Sequence, residues 1–350
     1  MTQFIPELKL AKKFYIEAVE PVIGVEFPHL SYSAALIGDG SGVLGYDTTL
    51  SRDHDWGPRL HLFVEDRALA SRISSVLDQH LPQEFLGYPV RFSKGGSPVR
   101  HHVDIHALGE FLHSYLGISS FDNLNPISWL AFPQENLLTL TAGEVFHDDA
   151  DVLRNMRQKL AYYPHDIWLY MLASGWRLLS QEMPFVGRTA EVGDELGSKS
   201  ITTHQCRRAM QLLFLIERKY APYNKWFGTA FKELKFASSM DQHLASAMKV
   251  DAWEEREHHL NEVYKVLVTA FNELKLLDSV KAEATSFFDR PYSTVEGPAP
   301  EAIQAKIQNT AVRSLPLGIG NIDQVTDNVD ILSKPVVFSH FQKFYADLSD

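Results

Sequence analysis

A change of texture along the chain restricts its fold more than any other feature. Before about residue 125, short apolar runs alternate with turns rich in Gly and Pro; after about residue 150, apolar residues recur at i, i+3 and i+4 over long stretches. Short runs need cross-strand partners, and long stripes need helical neighbours. The expectation is therefore an α+β unit over residues 1–149, a short mixed sheet flanked by helices, followed by an all-α unit over residues 150–350. Tyr32–Ile37 is a strand that leaves through Gly38-Asp39-Gly40, and Ser41–Gly45 opens a short helix. Val99–Ile105 pairs back on Tyr88–Phe92 across the Gly95-Gly96-Ser97-Pro98 turn. Leu8–Val19 and Asp66–Leu81 are helices for one face of the sheet, Asn125–Leu140 and Asp149–Leu160 are further helices, and Glu144-Val145-Phe146 is an edge strand. Farther on, Ile167, Trp168, Met171, Leu172, Gly175 and Leu179 form one core stripe, and Leu260, Val263, Tyr264, Leu267, Phe271 and Leu274 another. Gly187–Gly197 is a polar, flexible interruption, residues 287–335 are a looser connector, and Val337–Leu348 is a closing helix.

The chemistry is concentrated near the first strand. Backbone amides after a strand exit such as Gly40-Ser41, with the Ser hydroxyl, hold phosphate oxygens. Asp53 and Asp55 stand at i and i+2; on an extended backbone both leave the same face, with Cα atoms roughly 6.5 Å apart, a spacing at which two carboxylates share Mg²⁺. Asp104 lies inside a later strand. Three carboxylates on neighbouring strands suit two-metal phosphoryl or nucleotidyl transfer, with Asp53 and Asp55 as metal ligands and Asp104 either a ligand of the second metal or the group that takes the acceptor's proton.

Gly40-Ser41, eleven intervening residues, Asp53-x-Asp55 and the later Asp104 resemble the signature of the DNA polymerase β-type nucleotidyltransferase superfamily over roughly the first 150 residues. The strings Phe185-Val186-Gly187-Arg188, Val192 to Ser198 and Tyr220 to Gly228 resemble an uncharacterised bacterial family of that superfamily with a C-terminal helical domain, similar to small-molecule (for example aminoglycoside) adenylyltransferases. The residue between the paired Asp is usually apolar in the superfamily and is His54 here. The resemblance implies a nucleotidyltransferase domain with two Mg²⁺ ions and ATP or another NTP as co-substrate, moving AMP to a hydroxyl of a small-molecule acceptor. It implies nucleotide contacts from Gly40, Ser41, Arg52, Lys225 and Tyr223, with Tyr223 or Trp226 stacking on the base; the polar interruption 187–197 is where a substrate loop is economical, with acceptor contacts from Arg188, Glu191, Asp194 and Glu195. A solvated connector with Asp194 as a helix cap accounts for the three acids equally well. Transfer to a protein or a tRNA end, and a nucleotide-binding module without turnover, are the alternatives.

Two other chemistries compete in the same region. Gly40-x-Gly42-x-x-Gly45 matches the dinucleotide fingerprint, but Tyr46–Pro58 is polar and holds no amphipathic helix to carry a parallel crossover. His102, Asp104 and His106 alternate along one strand as two imidazoles and a carboxylate for Fe²⁺ or Zn²⁺, although i, i+2, i+4 ligands seldom close a site without another element. Cys206 sits within an apolar helical pattern and reads as a packed small hydrophobe. The formal charge of −11 disfavours a long nucleic acid, and against it the basic run Lys199–Lys235 suits a triphosphate. Met1–Lys13 lacks the apolar core of a signal peptide and no run approaches 18 apolar residues, so the expectation is a cytoplasmic protein without membrane contact.

Overall fold

A computed structural model describes residues 4–51, 56–93, 96–122 and 124–349. They divide into two compact units, one drawn from Met1–Asn123 and Asn136–Ala161, the other from Leu124–Glu135 and Tyr162–Asp350.

The first unit is α+β. Helix α1 (Glu7–Phe14) runs through a π-helical stretch, Tyr15–Val19, into α2 (Glu20–Glu26). Pro21 stands at the opening of α2, directly after the π-helical stretch, where the missing proline N–H is tolerated. Strands β1 (Tyr32–Leu36) and β2 (Arg59–Val64) follow, then α3 (Leu69–His80), the short strands β3 (Glu84–Phe85), β4 (Tyr88–Pro89) and β5 (Arg91–Phe92), strand β6 (Arg100–His106) and α4 (Leu108–Leu116). Helix α5 (Gln134–Thr141), β7 (Glu144–Asp148) and α6 (Val152–Lys159) complete the order. The main sheet runs β5-β6-β2-β1-β7, with β2 and β6 parallel and the other pairs antiparallel. As expected, Arg91–Phe92 pairs with the strand after the turn, and Glu144 opens an edge strand.

Period-two alternation separates the two faces of this sheet. Leu60, Leu62, Val64, Val103 and Ala34 join Leu10 and Phe14 of α1 and Ile73 and Leu77 of α3 in one buried cluster. The two helices expected to share one sheet face do so. The other face carries Arg59, His61 and Phe63 from β2 beside His102, Asp104 and His106 from β6 in parallel register. Phe111 of α4 packs on that face, its ring centroid 5.2 Å from His61 and 5.1 Å from Phe63.

The second unit is helical. Its first piece is the 3₁₀ segment Pro126–Ala131, so the single helix expected over 125–140 is broken, with Pro133 between its two parts. Helices α7 (His165–Glu182), α8 (Phe185–Glu191), α9 (Glu195–Ile216), α10 (Asn224–Phe231), α11 (Ala237–Lys249) and α12 (Trp253–Glu273) form the body. Ile167, Trp168, Met171, Leu172, Leu179, Leu260, Val263, Tyr264, Leu267 and Phe271 are all buried, as the stripes require. Cys206 is buried too, and burial pushes its thiol up to about 12, which agrees with a packing role.

Two expectations fail here. Gly187–Gly197 is mostly helix, because the Asp194 carboxylate accepts from Gly197 N at 2.8 Å and starts α9 within three residues of the end of α8. Residues 287–335 are ordered rather than loose: the hairpin β8 (Ala284–Ser286) and β9 (Ser293–Val295) leads to the short helices α13 (Pro300–Gln304), α14 (Thr310–Arg313), α15 (Ile322–Val325) and α16 (Val329–Leu332). Their apolar residues Ile303, Val312 and Ile322 are fully buried, so hydrophobic anchoring overrides the Pro- and Gly-rich composition. Helix α17 (Pro335–Ser349) ends the unit. No helix among the described residues is long and apolar enough to cross a membrane.

Candidate functional site

The turn after β1 is built on a buried ion pair. Glu7, in the first turn of α1, and Arg59, the first residue of β2, keep side-chain exposures of 1% and 5%. Arg59 donates through Nε to Glu7 Oε1 at 2.7 Å and through Nη2 to Oε2 at 3.2 Å, a bidentate pairing that satisfies both oxygens. The guanidinium also donates to the Asp39 carbonyl at 2.9 Å, and Gly57 N donates to Glu7 Oε1 at 3.3 Å. Asp47 adds a second tie, accepting from Glu7 N at 2.7 Å and from Trp56 Nε1 at 2.9 Å. These contacts hold Asp47 on one side of residues 52–55 and Trp56 and Gly57 on the other around Glu7, whose partner Arg59 reaches the turn at Asp39.

Two glycines are required by that packing. At Gly40, with φ +129°, a Cβ would sit 2.5 Å from Arg59 Nη2, and at Gly42 it would collide with the Glu7 side chain. The expected helix over 41–45 is instead a series of turns closed by Tyr46 N to Ser41 O at 2.9 Å and Gly45 N to Gly42 O at 3.0 Å. Gly42 and the left-handed Gly45 disfavour helix at this point.

Asp104 lies on the polar face in a cross-strand row with His61 and Ala35. Its Oδ1 meets Arg100, four residues back on the same strand, at 2.7 Å, and its Oδ2 has no hydrogen-bond partner among the described residues. Burial raises this carboxyl, but the Arg100 hydrogen bond and charge, together with His61 and His102, outweigh it and hold the group below the usual carboxylate range. His61 Nδ1 is 3.1 Å from His106 Nε2, and burial lowers the His106 imidazole. An ionised carboxylate with one open oxygen beside the His61–His106 contact can accept a proton or ligate a cation.

His102, Asp104 and His106 do not converge on one point. His102 Nε2 meets the Phe92 carbonyl at 2.9 Å, with the two rings 4.2 Å apart, Asp104 turns to Arg100, and His106 turns to His61. Among the described residues no three His, Cys, Asp or Glu side chains assemble as a metal-ligand group.

The remaining sequence-derived residues fall as follows. Arg52, Asp53 and Asp55 lie outside the described residues, as does His54. In the helical unit, Tyr223 precedes α10 as its N-cap and Lys225 places Nζ 5.1 Å from the centre of the Trp226 ring. Arg188 stacks on Phe185 at 5.4 Å, Glu191 pairs with Arg290 at 3.0 Å, Asp194 caps α9, and Glu195 pairs with the buried Arg256 at 2.7 Å. The basic run 199–235 is not one patch: Lys199, Lys232 and Lys235 each face a carboxylate, and Arg218 stacks on Trp168.

Glu7, Asp39, Asp47, Arg59 and His61 were not singled out from the sequence. The available signal was Arg59 itself, since an arginine opening an otherwise apolar strand must find a buried acceptor.

Comparison with known proteins adds little to this geometry. Residues 129–227 match the model of a family described as a domain of unknown function, DUF4037. Among solved structures the chain is similar to a nucleotidyltransferase-like protein from Exiguobacterium sibiricum 255-15, at 10% identity, a TM-score of 0.32, and coverage of 77% of this chain and 82% of that one. A search of curated proteins finds no match.

Proposed function

We propose that the chain is a Mg²⁺-dependent nucleotidyltransferase that moves a nucleoside monophosphate, AMP from ATP, to a hydroxyl of a small-molecule acceptor. The observation that carries this reading is the glycine turn after β1, braced by the buried Glu7–Arg59 pair and tied to both flanks of the Asp53–Asp55 segment. A buried ion pair is a costly way to hold a loop, and its expense is accounted for when the loop must keep a fixed shape against a phosphate chain. In this reading Gly40 and Ser41 cradle phosphate oxygens, while Asp53, Asp55 and the open oxygen of Asp104 hold Mg²⁺. The bound ion supplies Lewis-acid stabilisation of charge on the α-phosphate. Asp104, ionised and beside the His61–His106 pair, is the group that takes the acceptor's proton if both ions are held by the Asp53–Asp55 pair.

The test is calorimetric titration of ATP and other NTPs with and without Mg²⁺, on the wild type and on Asp53→Asn/Asp55→Asn. Metal-dependent binding that the double variant loses supports the assignment and opens a screen of acceptors for labelled AMP transfer. A wild type that binds no nucleotide overturns it.

A further inference from the structure

The helical unit contains a cavity of about 400 Å³ between α7, α9 and the segment around α15. That is the size of a pocket for a small metabolite. His204, Arg207, Arg208 and Gln211 line it from α9, at i, i+3, i+4 and i+7, so one face of that helix supplies three basic side chains. Their commitments differ. Arg208 donates to the Leu178 carbonyl and lies 3.4 Å from the Glu182 carboxylate, and His204 Nδ1 is held 3.0 Å from the same carboxylate. With Nδ1 on that side, Nε2 lies on the opposite side of the ring. Arg207 has no carboxylate partner among the described residues: it donates from Nη2 to Asn224 Oδ1 at 2.8 Å and stacks on Phe227 at 5.0 Å.

The opposite wall is polar. Thr326 and Asp327 follow α15, whose start is fixed by an Asn321–Gln324 capping box. Asp323 is engaged internally, its Oδ2 accepting from Gln134 N at 2.9 Å and from Asn321 at 2.8 Å. On the α7 side Gly175 lines the cavity and lets α7 approach α9 closely: a Cβ there would stand 3.0 Å from Leu212 and 3.6 Å from Gln324.

We infer that this cavity binds a small phosphorylated polyol or sugar, its phosphate on Arg207 and His204 and its hydroxyls on Thr326 and Asp327. A stacked, charge-unpaired arginine offers a planar fork to phosphate oxygens. Arg207 supplies the positive charge of this wall that no carboxylate faces among the described residues, and that charge is what an anionic group meets on entering the cavity. The threonine hydroxyl and the aspartate accept from sugar hydroxyls, which a bare anion lacks. The site uses only residues of the helical unit and stands or falls separately from the nucleotidyltransferase reading.

The experiment is titration calorimetry on the full chain without Mg²⁺, using glycerol 3-phosphate, ribose 5-phosphate, glucose 6-phosphate and inorganic phosphate as probes and ribose as the uncharged control. At least one sugar or polyol phosphate binds the wild type more tightly than inorganic phosphate and than ribose. Arg207→Gln weakens it about 10- to 100-fold, the range for loss of a charge-assisted hydrogen bond. Asp53→Asn/Asp55→Asn leaves it unchanged. Circular dichroism confirms that each variant is folded; His204→Gln, with a weaker loss, replaces Arg207→Gln if that variant is not. The proposal is overturned if no phosphorylated probe binds, if ribose binds as well as its phosphate, or if the folded Arg207 and His204 variants retain wild-type affinity.

Discussion

Replacing Glu7 by Gln removes the charge that balances Arg59 while conserving the volume of the side chain. The consequence follows from the burial of the pair, whose members keep 1% and 5% exposure. Breaking such a pair by removing one partner costs about 3–5 kcal/mol, because the surviving charge is left desolvated. In Glu7→Gln the amide oxygen still accepts from Arg59, and the guanidinium keeps its 2.9 Å bond to the Asp39 carbonyl, so a loss of about 3 kcal/mol in the amino-terminal unit is expected. Arg59→Met strands the carboxylate, whose remaining backbone partner is Gly57 N at 3.3 Å, and should reach the upper end, about 5 kcal/mol. Glu7→Leu/Arg59→Met removes both charges together and should lie within about 2 kcal/mol of the wild type, since an apolar replacement of a buried pair is often near neutral. Equilibrium urea denaturation measures these differences, and hydrogen–deuterium exchange across residues 32–46 and 59–64 assigns the transition to this unit. The reasoning is refuted if either single variant costs less than about 1 kcal/mol, or if the double variant costs the sum of the singles and so shows no coupling.

Two glycines in the same turn should respond differently to alanine. Gly42→Ala drives a Cβ into the Glu7 side chain and should destabilise the unit by about 2–3 kcal/mol, whereas Gly45→Ala meets nothing within 4 Å and should lose only about 1 kcal/mol to its left-handed backbone; comparable urea midpoints for the two would contradict the close approach. In the helical unit, burial pushes the Asp323 carboxyl up to about 7, the hydrogen bonds from Gln134 and Asn321 offsetting only part of the effect. A folded-state value above the unfolded one means that the folded form holds the proton more tightly, so stability falls as pH rises from about 4 to about 7, by up to about 4 kcal/mol. Asp323→Asn keeps an acceptor for Gln134 N and should flatten that dependence, and thermal melts with the same pH slope in both proteins would exclude Asp323 as its source.

Much of the architecture could be read from local pattern because the signals were local. The stripe Leu260, Val263, Tyr264, Leu267, Phe271 predicts α12 since 3.6-residue periodicity places those side chains on one face whatever they meet. The edge strand from Glu144, the return pairing of Arg91–Phe92, and the two helices sharing a sheet face follow in the same way from alternation and turn chemistry. The errors arose where a weak local preference met a specific partner. Gly187–Gly197 looks like a loop by composition, yet one carboxylate capping Gly197 N suffices to start a 22-residue helix beside it. Residues 287–335 look loose, yet Ile303, Val312 and Ile322 find a core.

For the candidate site the division is sharper. By itself the sequence determines that small residues follow the first strand, that paired carboxylates come next, and that an aspartate and alternating histidines share one face of a later strand, because each of these is a matter of spacing along a few residues. Only the tertiary structure decides that Arg59 spends its charge on Glu7, 52 positions away along the chain, that Gly40 and Gly42 are required by that pair, and that His102, Asp104 and His106 turn to three different partners. The cavity beside Arg207 belongs to the same category, for it is made by helices that sequence periodicity can identify one at a time but not bring together. Periodicity specifies which face of an element is apolar; which charges are buried against one another depends on contacts between elements, and those exist only once the chain has folded.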